Sequence, residues 1–343
     1  MPPPASERDL EALAPDWEAL ADRVGATPFL RPGWFAAWAG AFAARGLEVL
    51  TVQRGDRLAG VLPYLPAGRT LRSPTNDHTH HFGLLAEDED AASEVARALF
   101  SAGAARVSLD YLDASAPDFP ICRDAAEAAG YRVVARPRAY NLFIRLPGDP
   151  NLPGRLVRDV ERRRRRLEQQ GEISLEVDEG TGGLEEGLRL EGSGWKDAER
   201  TAILSRPETS RFYRELAAWA AERGWLRLCF LRLDGRALAF QFALEHGGAH
   251  YFIKGGYDPD YHAFSPGKLL LHETLGRARE RGLERYELLG DLEPWKLEWA
   301  RTVRVRLSFA AFSRSPRGLA GYAARAYVRP LLRPDRRRRL LAG

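Results

Sequence analysis

"AHYFIKGGYDPDYHAFSPGKLLLHETL", residues 249 to 275, is the stretch on which the fold turns. The first nine residues read as a strand, "DPDYHAF" as a loop, and "SPGKLLLHETL" as the start of a helix. Ser265 suits the N-cap and Pro266 the first helical position, where a missing N–H is no loss. Gly267 lets another backbone or a ligand approach closely. The first-turn N–H groups and the helix dipole favour an anion there, and Lys268 adds a mobile point charge of the kind a flexible diphosphate tolerates. A well-capped surface helix would carry the same letters.

Outward from this stretch, both halves of the chain repeat one order: helices, a hairpin, then a strand, helix and strand. In the first half these are the aromatic helix in "TPFLRPGWFAAWAGAFAARG", the hairpin "LEVLTVQRGDRLAGVLPYLPAG", helices over 91–102 and 119–130, and strands "RVSLDYLD", "YRVVARP" and "YNLFIRL". In the second half they are a basic helix near 154–170, the strand "ISLEVDE", helices over 184–190 and 208–223, three strands within 226–257, a helix over 266–281, and strands "RYELLG" and "VRVRLSFAAF". This predicts a mixed α/β (α+β) fold by structural duplication, without a residue-level repeat. Proline and glycine cluster in "PGDPNLPGR", so the expected division is 1–150, 151–313 and a basic helical tail at 314–343.

A length of 343 residues suits two domains, and 45% apolar with 29% charged residues is a globular composition. There is no membrane-length apolar run and no leader-like start, and Cys122 and Cys229 lack ligand spacing. A reduced, cytoplasmic protein is expected. The excess of 51 basic over 47 acidic residues is small, but "ERRRRRLEQQ" (161–170) and "VRPLLRPDRRRRLLAG" (328–343) concentrate it. These are solvated faces, or contacts with an anionic membrane surface or RNA. Lysine is rare: Lys196, Lys254, Lys268 and Lys296 are the only four. All lie in the second half, and they either mark places where a compact ammonium is wanted in preference to a guanidinium fork or are remnants that pack locally with acidic partners.

"FIKGGYDPDYHAFSPGKLLLHETL", "GSGWKDAERTAI" and "LLGDLEPWKLEW" together resemble the CelD/BcsL-type branch of the GNAT N-acetyltransferase superfamily, which is similar to the Fem-type aminoacyl transferases. "FLRPGWFAAWAGAF" and "LEVLTVQRGDRLAGVLPY" extend the resemblance into the first half. It implies a tandem of two GNAT-like domains, each with a mixed central sheet flanked by helices. It further implies acetyl-CoA or another acyl-CoA as co-substrate in the second domain, and an amine acceptor such as an amino sugar of polysaccharide or envelope metabolism. Ile253, Lys254, Gly255, Ser265, Gly267, Lys268 and Leu269 are the expected donor contacts. "SPGK" has a single glycine where ordinary GNAT loops have several, which leaves aminoacyl-tRNA as the alternative donor.

Acyl transfer to an amine needs a proton acceptor and donors aimed at the developing oxyanion. Asp291 follows the strand "RYELL" and is the candidate base, with Glu293 as the alternate; Asp291 as a plain turn residue after Gly290 is the competing reading. Lys296 is the candidate to place positive charge near the reacting carbonyl or the departing sulfur, and Tyr257 is a candidate proton donor to the leaving thiolate, with simple packing as its competing reading. On the acceptor side "NDHTHH" (76–81) offers His78 and His80 on one strand face, while Trp195, Lys196 and Trp295 pair flat rings with charge. The histidine spacing is not that of a metal site, and no metal is expected.

Overall fold

The computed structural model describes residues 7–43, 46–146, 152–193 and 202–328. Contacts divide the chain into two units. Unit 1 comprises residues 1–141, 290–292 and 303–343, and unit 2 comprises residues 142–289 and 293–302.

In unit 1, α1 (Glu7–Arg23) and α2 (Pro32–Phe42) precede the hairpin of β1 (Glu48–Arg54) and β2 (Arg57–Ala67). Then come β3 (Thr70–Arg72), β4 (Leu85–Ala86), α3 (Glu89–Ser101), β5 (Arg106–Asp113), α4 (Asp118–Ala128) and the start of β6 (Arg132–Arg145). β3 and β5 pair in parallel, and β5 pairs antiparallel with β12 (Thr302–Phe312). The proline-led helix α9 (Pro316–Ala323) follows, with Ser315 as an N-cap accepting from Gly318 N; α5 to α8 belong to unit 2.

Unit 2 contains α5 (Gly154–Glu168), β7 (Ile173–Asp178), α6 (Leu184–Gly192), α7 (Pro207–Glu222), β8 (Leu226–Leu233), β9 (Arg236–His246), β10 (Ala249–Tyr257), α8 (Pro266–Glu280) and β11 (Arg285–Glu287). Its strand order is β6-β11-β10-β9-β8-β7, with β10 and β11 parallel and the other registered neighbours antiparallel. α8 buries Leu269, Leu270, Leu271, Leu275 and Ala278. At roughly 1.5–3 kcal/mol for each fully buried leucine, this face holds the helix to the sheet.

Each unit thus contains an antiparallel run, one parallel pair and a further antiparallel strand, as the duplication expected. Two details depart from the sequence reading. "YRVVARP" and "YNLFIRL" form one strand, β6, that continues through Pro137 although proline brings no N–H to a ladder. The last strand of each unit also comes from the other half of the chain. β12 joins β5 in unit 1, and Phe143–Arg145 of β6 join β11 in unit 2. Residues 303–312 therefore belong with the first unit, not with 151–302. The described part of the tail, 314–328, also belongs to unit 1, and the basic segment 329–343 lies outside the described residues.

One glycine fixes how α6 meets β10. A Cβ on Gly256 would stand 2.4 Å from Glu191 Cα and 2.7 Å from Leu190 O, both backbone atoms that cannot swing aside. Gly256→Ala is expected to cost roughly 1–3 kcal/mol by overpacking in a denaturant titration. Gly276→Ala in α8, where a Cβ meets nothing within 4 Å, is expected to gain up to about 1 kcal/mol from helix propensity.

Candidate functional site

Ile253, Lys254 and Gly255, three of the expected donor contacts, lie on β10. Its parallel pairing with β11 runs from Ala249↔Arg285 to Tyr251↔Glu287 and stops there, while β10 continues to Tyr257. Past Tyr251 the strands part. The register with β9 also slips between Phe252 and Lys254, which makes Ile253 the extra residue of a bulge. The end of the parallel register and the bulge thus fall at the same point of β10. Lys254 and Gly255 follow the bulge, and a Cβ on Gly255 would come within 2.9 Å of Phe240 O. Gly255 is therefore required by the neighbouring strand itself.

The helix start is narrower than the sequence suggested. Ser265 occupies the N-cap position in the left-handed conformation (φ 52°, ψ 57°), and its side chain makes no cap hydrogen bond. The Lys268 and Leu269 N–H groups donate to Ser265 O at 2.9 and 3.2 Å, so they are not available to an anion. Gly267 remains. A Cβ there would find only Tyr257 Cδ1, at an ordinary 3.7 Å, so the space beside the first turn is open and its glycine is not demanded by the protein's own packing. Leu269 is a core residue. Lys268 Nζ donates to Glu298 Oε2 at 2.6 Å at the surface, a pair that leaves its charge partly spent. Tyr257, 40% exposed, ends the strand and accepts at its carbonyl from Ser193 Oγ at 2.8 Å.

Beyond β11 the chain turns through two successive left-handed residues, Leu289 (φ 32°) and Gly290 (φ 64°), before Asp291. Asp291 Oδ1 accepts from Leu292 N at 2.9 Å, the local bond of a turn aspartate. Lys296 is 4% exposed and donates to Leu289 O at 2.7 Å, with Glu293 Oε1 at 3.0 Å and the Trp295 ring 5.5 Å from its Nζ. Its ammonium is thus built into the turn. Glu293 Oε2 accepts from Trp295 Nε1 at 2.8 Å, and the Trp295 ring lies 6.3 Å from that of Phe252 on β10. In unit 2 the structure therefore brings Glu293, Trp295 and Lys296 into one cluster.

In unit 1 the segment "NDHTHH" is an irregular loop, not a strand, so the expected shared face of His78 and His80 does not form. The His78 ring stacks on Phe42, with centroids 5.8 Å apart and planes at 6°. His80 is buried edge-on to Phe29, and His81 Nδ1 lies 3.2 Å from Thr27 Oγ1. Asp77 pairs with Arg138 at 2.8 Å, and Arg138 stands over the Tyr111 ring. Burial first, then the charges of Asp77, Asp110 and Asp291 opposed by Arg138, push the Tyr111 hydroxyl up to about 12. These carboxylates share one electrostatic neighbourhood. Trp195 and Lys196 lie outside the described residues. No three His, Cys, Asp or Glu residues among the described ones are gathered to hold a metal ion.

Two residues that the sequence reading missed stand beside Asp291. Asn141 Nδ2 donates to Gly290 O at 2.6 Å, and Arg306 Nε donates to Asn141 Oδ1 at 3.0 Å. Asn141 carries a signal in hindsight: it is the one uncharged polar residue in the apolar run "YNLFI".

Residues 154–297 match the family model of an acetyltransferase (GNAT) domain. That stretch is a GNAT domain. It contains the strand with the bulge, the helix start and the strand-end turn described above. The fold as a whole is shared with the C-terminal domain (DUF2156) of a putative lysylphosphatidylglycerol synthetase from Agrobacterium fabrum, at 15% identity over 91% of this chain and 96% of that one, TM-score 0.59. It is shared with L-PGS from Bacillus licheniformis at 12% identity over 92% and 96%, TM-score 0.57. FemX is similar at 12% identity over 91% and 97%, TM-score 0.56. No curated protein has a significantly similar sequence. No helix among the described residues is long and apolar enough to cross a membrane.

Proposed function

We propose that the protein transfers an acyl group, acetyl in the simplest case, from acyl-CoA directly to a primary amine on a small molecule or glycan, such as an amino sugar of polysaccharide or envelope metabolism. The observation that carries this reading is the parting of β10 and β11 beyond Tyr251 and Glu287, beside the Ile253 bulge and the open first turn at Gly267. An extended pantetheine would run along β10 beyond the end of its pairing with β11. The acyl carbonyl then lies by the bulge and the phosphates by the Gly267 N–H. The carboxylates of Asp77, Asp110 and Asp291 make a neighbourhood suited to an ammonium acceptor, which gives one proton to water to become the nucleophilic amine, and Asp291 takes the second proton as that amine attacks. The buried Lys296 ammonium keeps positive potential at the turn, and Tyr257 stands at the strand end as the proton donor to the thiolate. The tetrahedral intermediate collapses with loss of CoA thiol, and no acyl-enzyme forms.

Titration calorimetry with acetyl-CoA tests the donor half. Micromolar binding is expected, weakened at least tenfold by Gly267→Val, which fills the cradle without touching the core, and only a few-fold by Lys268→Ala, whose charge Glu298 already engages. Absence of binding by the native chain would remove acyl-CoA as donor. Aminoacyl-tRNA would then be tested by the salt dependence of binding. The arginine run gives that alternative little support: Arg162 and Arg163 pair with Asp159, Arg164 with Glu168 and Glu273, and Arg166 lies over Phe264.

A further inference from the structure

The turn that presents Asp291 contains Leu289 in a left-handed conformation that a branched side chain adopts only when its surroundings hold it there. Lys296 pins the Leu289 carbonyl, and the next carbonyl, that of Gly290, is pinned by Asn141. Behind Asn141 stands a buried polar chain within unit 1. Arg306 Nε donates to Asn141 Oδ1, and Arg306 Nη1 donates to Asp113 Oδ2 at 3.0 Å. Asp113 Oδ1 accepts from Ser115 N at 2.9 Å and Ser115 Oγ at 2.7 Å. Asn141 is 1% exposed, and Arg306 and Asp113 are each 5% exposed. A guanidinium only donates, so Asn141 must turn its oxygen to Arg306, and this leaves its NH₂ for Gly290 O. The direction of the amide is thereby set by a charge pair two bonds away. Residues 290–292 belong to the contact network of unit 1 although they follow a strand of unit 2, as expected if this chain organises them.

We propose that Asp113, Arg306 and Asn141 are positioning residues: they fix the peptide preceding Asp291 and so aim its carboxylate at the acceptor amine. This rests on Asp291 as the base. A buried ion pair contributes little net stability over apolar packing, so its use here is to set a direction.

Asn141→Asp is the decisive variant, because a carboxylate still accepts from Arg306 but has no N–H for Gly290 O. The assay is thiol release from acetyl-CoA by the full chain, with D-glucosamine and with water alone, alongside hydrogen exchange of the peptide spanning Leu289–Leu292. The expected result is a kcat lowered roughly 10- to 100-fold, the scale of a misplaced catalytic group. KM for acetyl-CoA should stay within about twofold, as for an interaction outside ground-state donor binding. Exchange should be faster at the turn by more than any lowering of the unfolding midpoint accounts for. Arg306→Lys, which cannot serve Asn141 and Asp113 as one fork, is expected to move the same readouts in the same direction and covers the case in which Asn141→Asp fails to fold. Unchanged exchange at the turn, or a kcat that is retained while Asp291→Asn abolishes it, overturns the proposal. Faster exchange at the turn with kcat untouched in Asp291→Asn would instead sink the base assignment and leave the pinning of the turn intact.

Discussion

Asp291→Asn lowers kcat for acyl transfer by roughly 10²- to 10³-fold, within the range that a positioned general base contributes, and leaves KM for acyl-CoA nearly unchanged. The substitution is close to ideal as a chemical test. Asparagine keeps the oxygen that accepts from Leu292 N at 2.9 Å, so the turn retains its local bond and only proton-accepting capacity is removed. Donor binding should survive because the proposed donor contacts lie on β10 and the first turn of α8, and neither contains Asp291. The check is steady-state kinetics with saturating acyl-CoA and varied amine. Activity within about threefold of native would assign Asp291 to the turn alone, since threefold is far below what general-base catalysis supplies. Glu293 would then be the next candidate, although both its oxygens are engaged by Lys296 and Trp295.

Local signals in the sequence carried most of the elements. Pro32, Pro207, Pro266 and Pro316 each open a helix, and "GD", "DG" and "GG" pairs mark the hairpins, because these residues act through their own dihedral angles. Periodicity fixes an element's type but not its partner, so β12 looked like the last strand of the second half until its register with β5 was seen. The same limit explains the site. "SPGK" announced the helix start, but the left-handed Ser265 that takes up two of its N–H groups, and the Glu298 that engages Lys268, depend on tertiary geometry. Rarity made the four lysines stand out but could not tell their surroundings apart: Lys296 is buried against a carbonyl, and Lys268 forms an exposed pair. Asn141, Arg306 and Asp113 lie on three strands far apart in sequence, and spacing alone cannot connect them.

Glu245→Gln tests the footing of the donor strand and is expected to cost about 3 kcal/mol at neutral pH, the scale on which removing one partner leaves a buried charge uncompensated. Glu245 on β9 lies directly opposite His250 on β10, at 3.2 Å from Oε1 to Nδ1, while Oε2 meets Arg227 Nε at 2.9 Å and Arg281 Nε at 3.2 Å. Burial would raise the carboxyl, but the hydrogen bond to His250 and the charges of His250, Arg227 and Arg281 outweigh it and hold Glu245 at about 2. Burial keeps His250 below its ordinary value despite Glu245, and its ring stacks on Tyr286 at 4.4 Å. The signs agree. A depressed carboxylate contributes stability that is present above its unfolded value, near 4.5, and lost as pH falls through 4.5 toward 2. A depressed histidine makes the unfolded chain the better proton acceptor as pH drops below about 6.5. Unit 2 should therefore weaken gently from about pH 6.5 and steeply below 4.5, by about 2 kcal/mol or more once the full shift is discounted for the solvent edge at Arg281. Urea titrations across this range should show the native chain and Glu245→Gln converging in acid, where both carry a neutral side chain at 245. A constant gap between them down to pH 3 would mean that the substitution acts through packing. Convergence would place the charge of Glu245 at the base of β9 and β10, where it holds the strand that carries the Ile253 bulge in register.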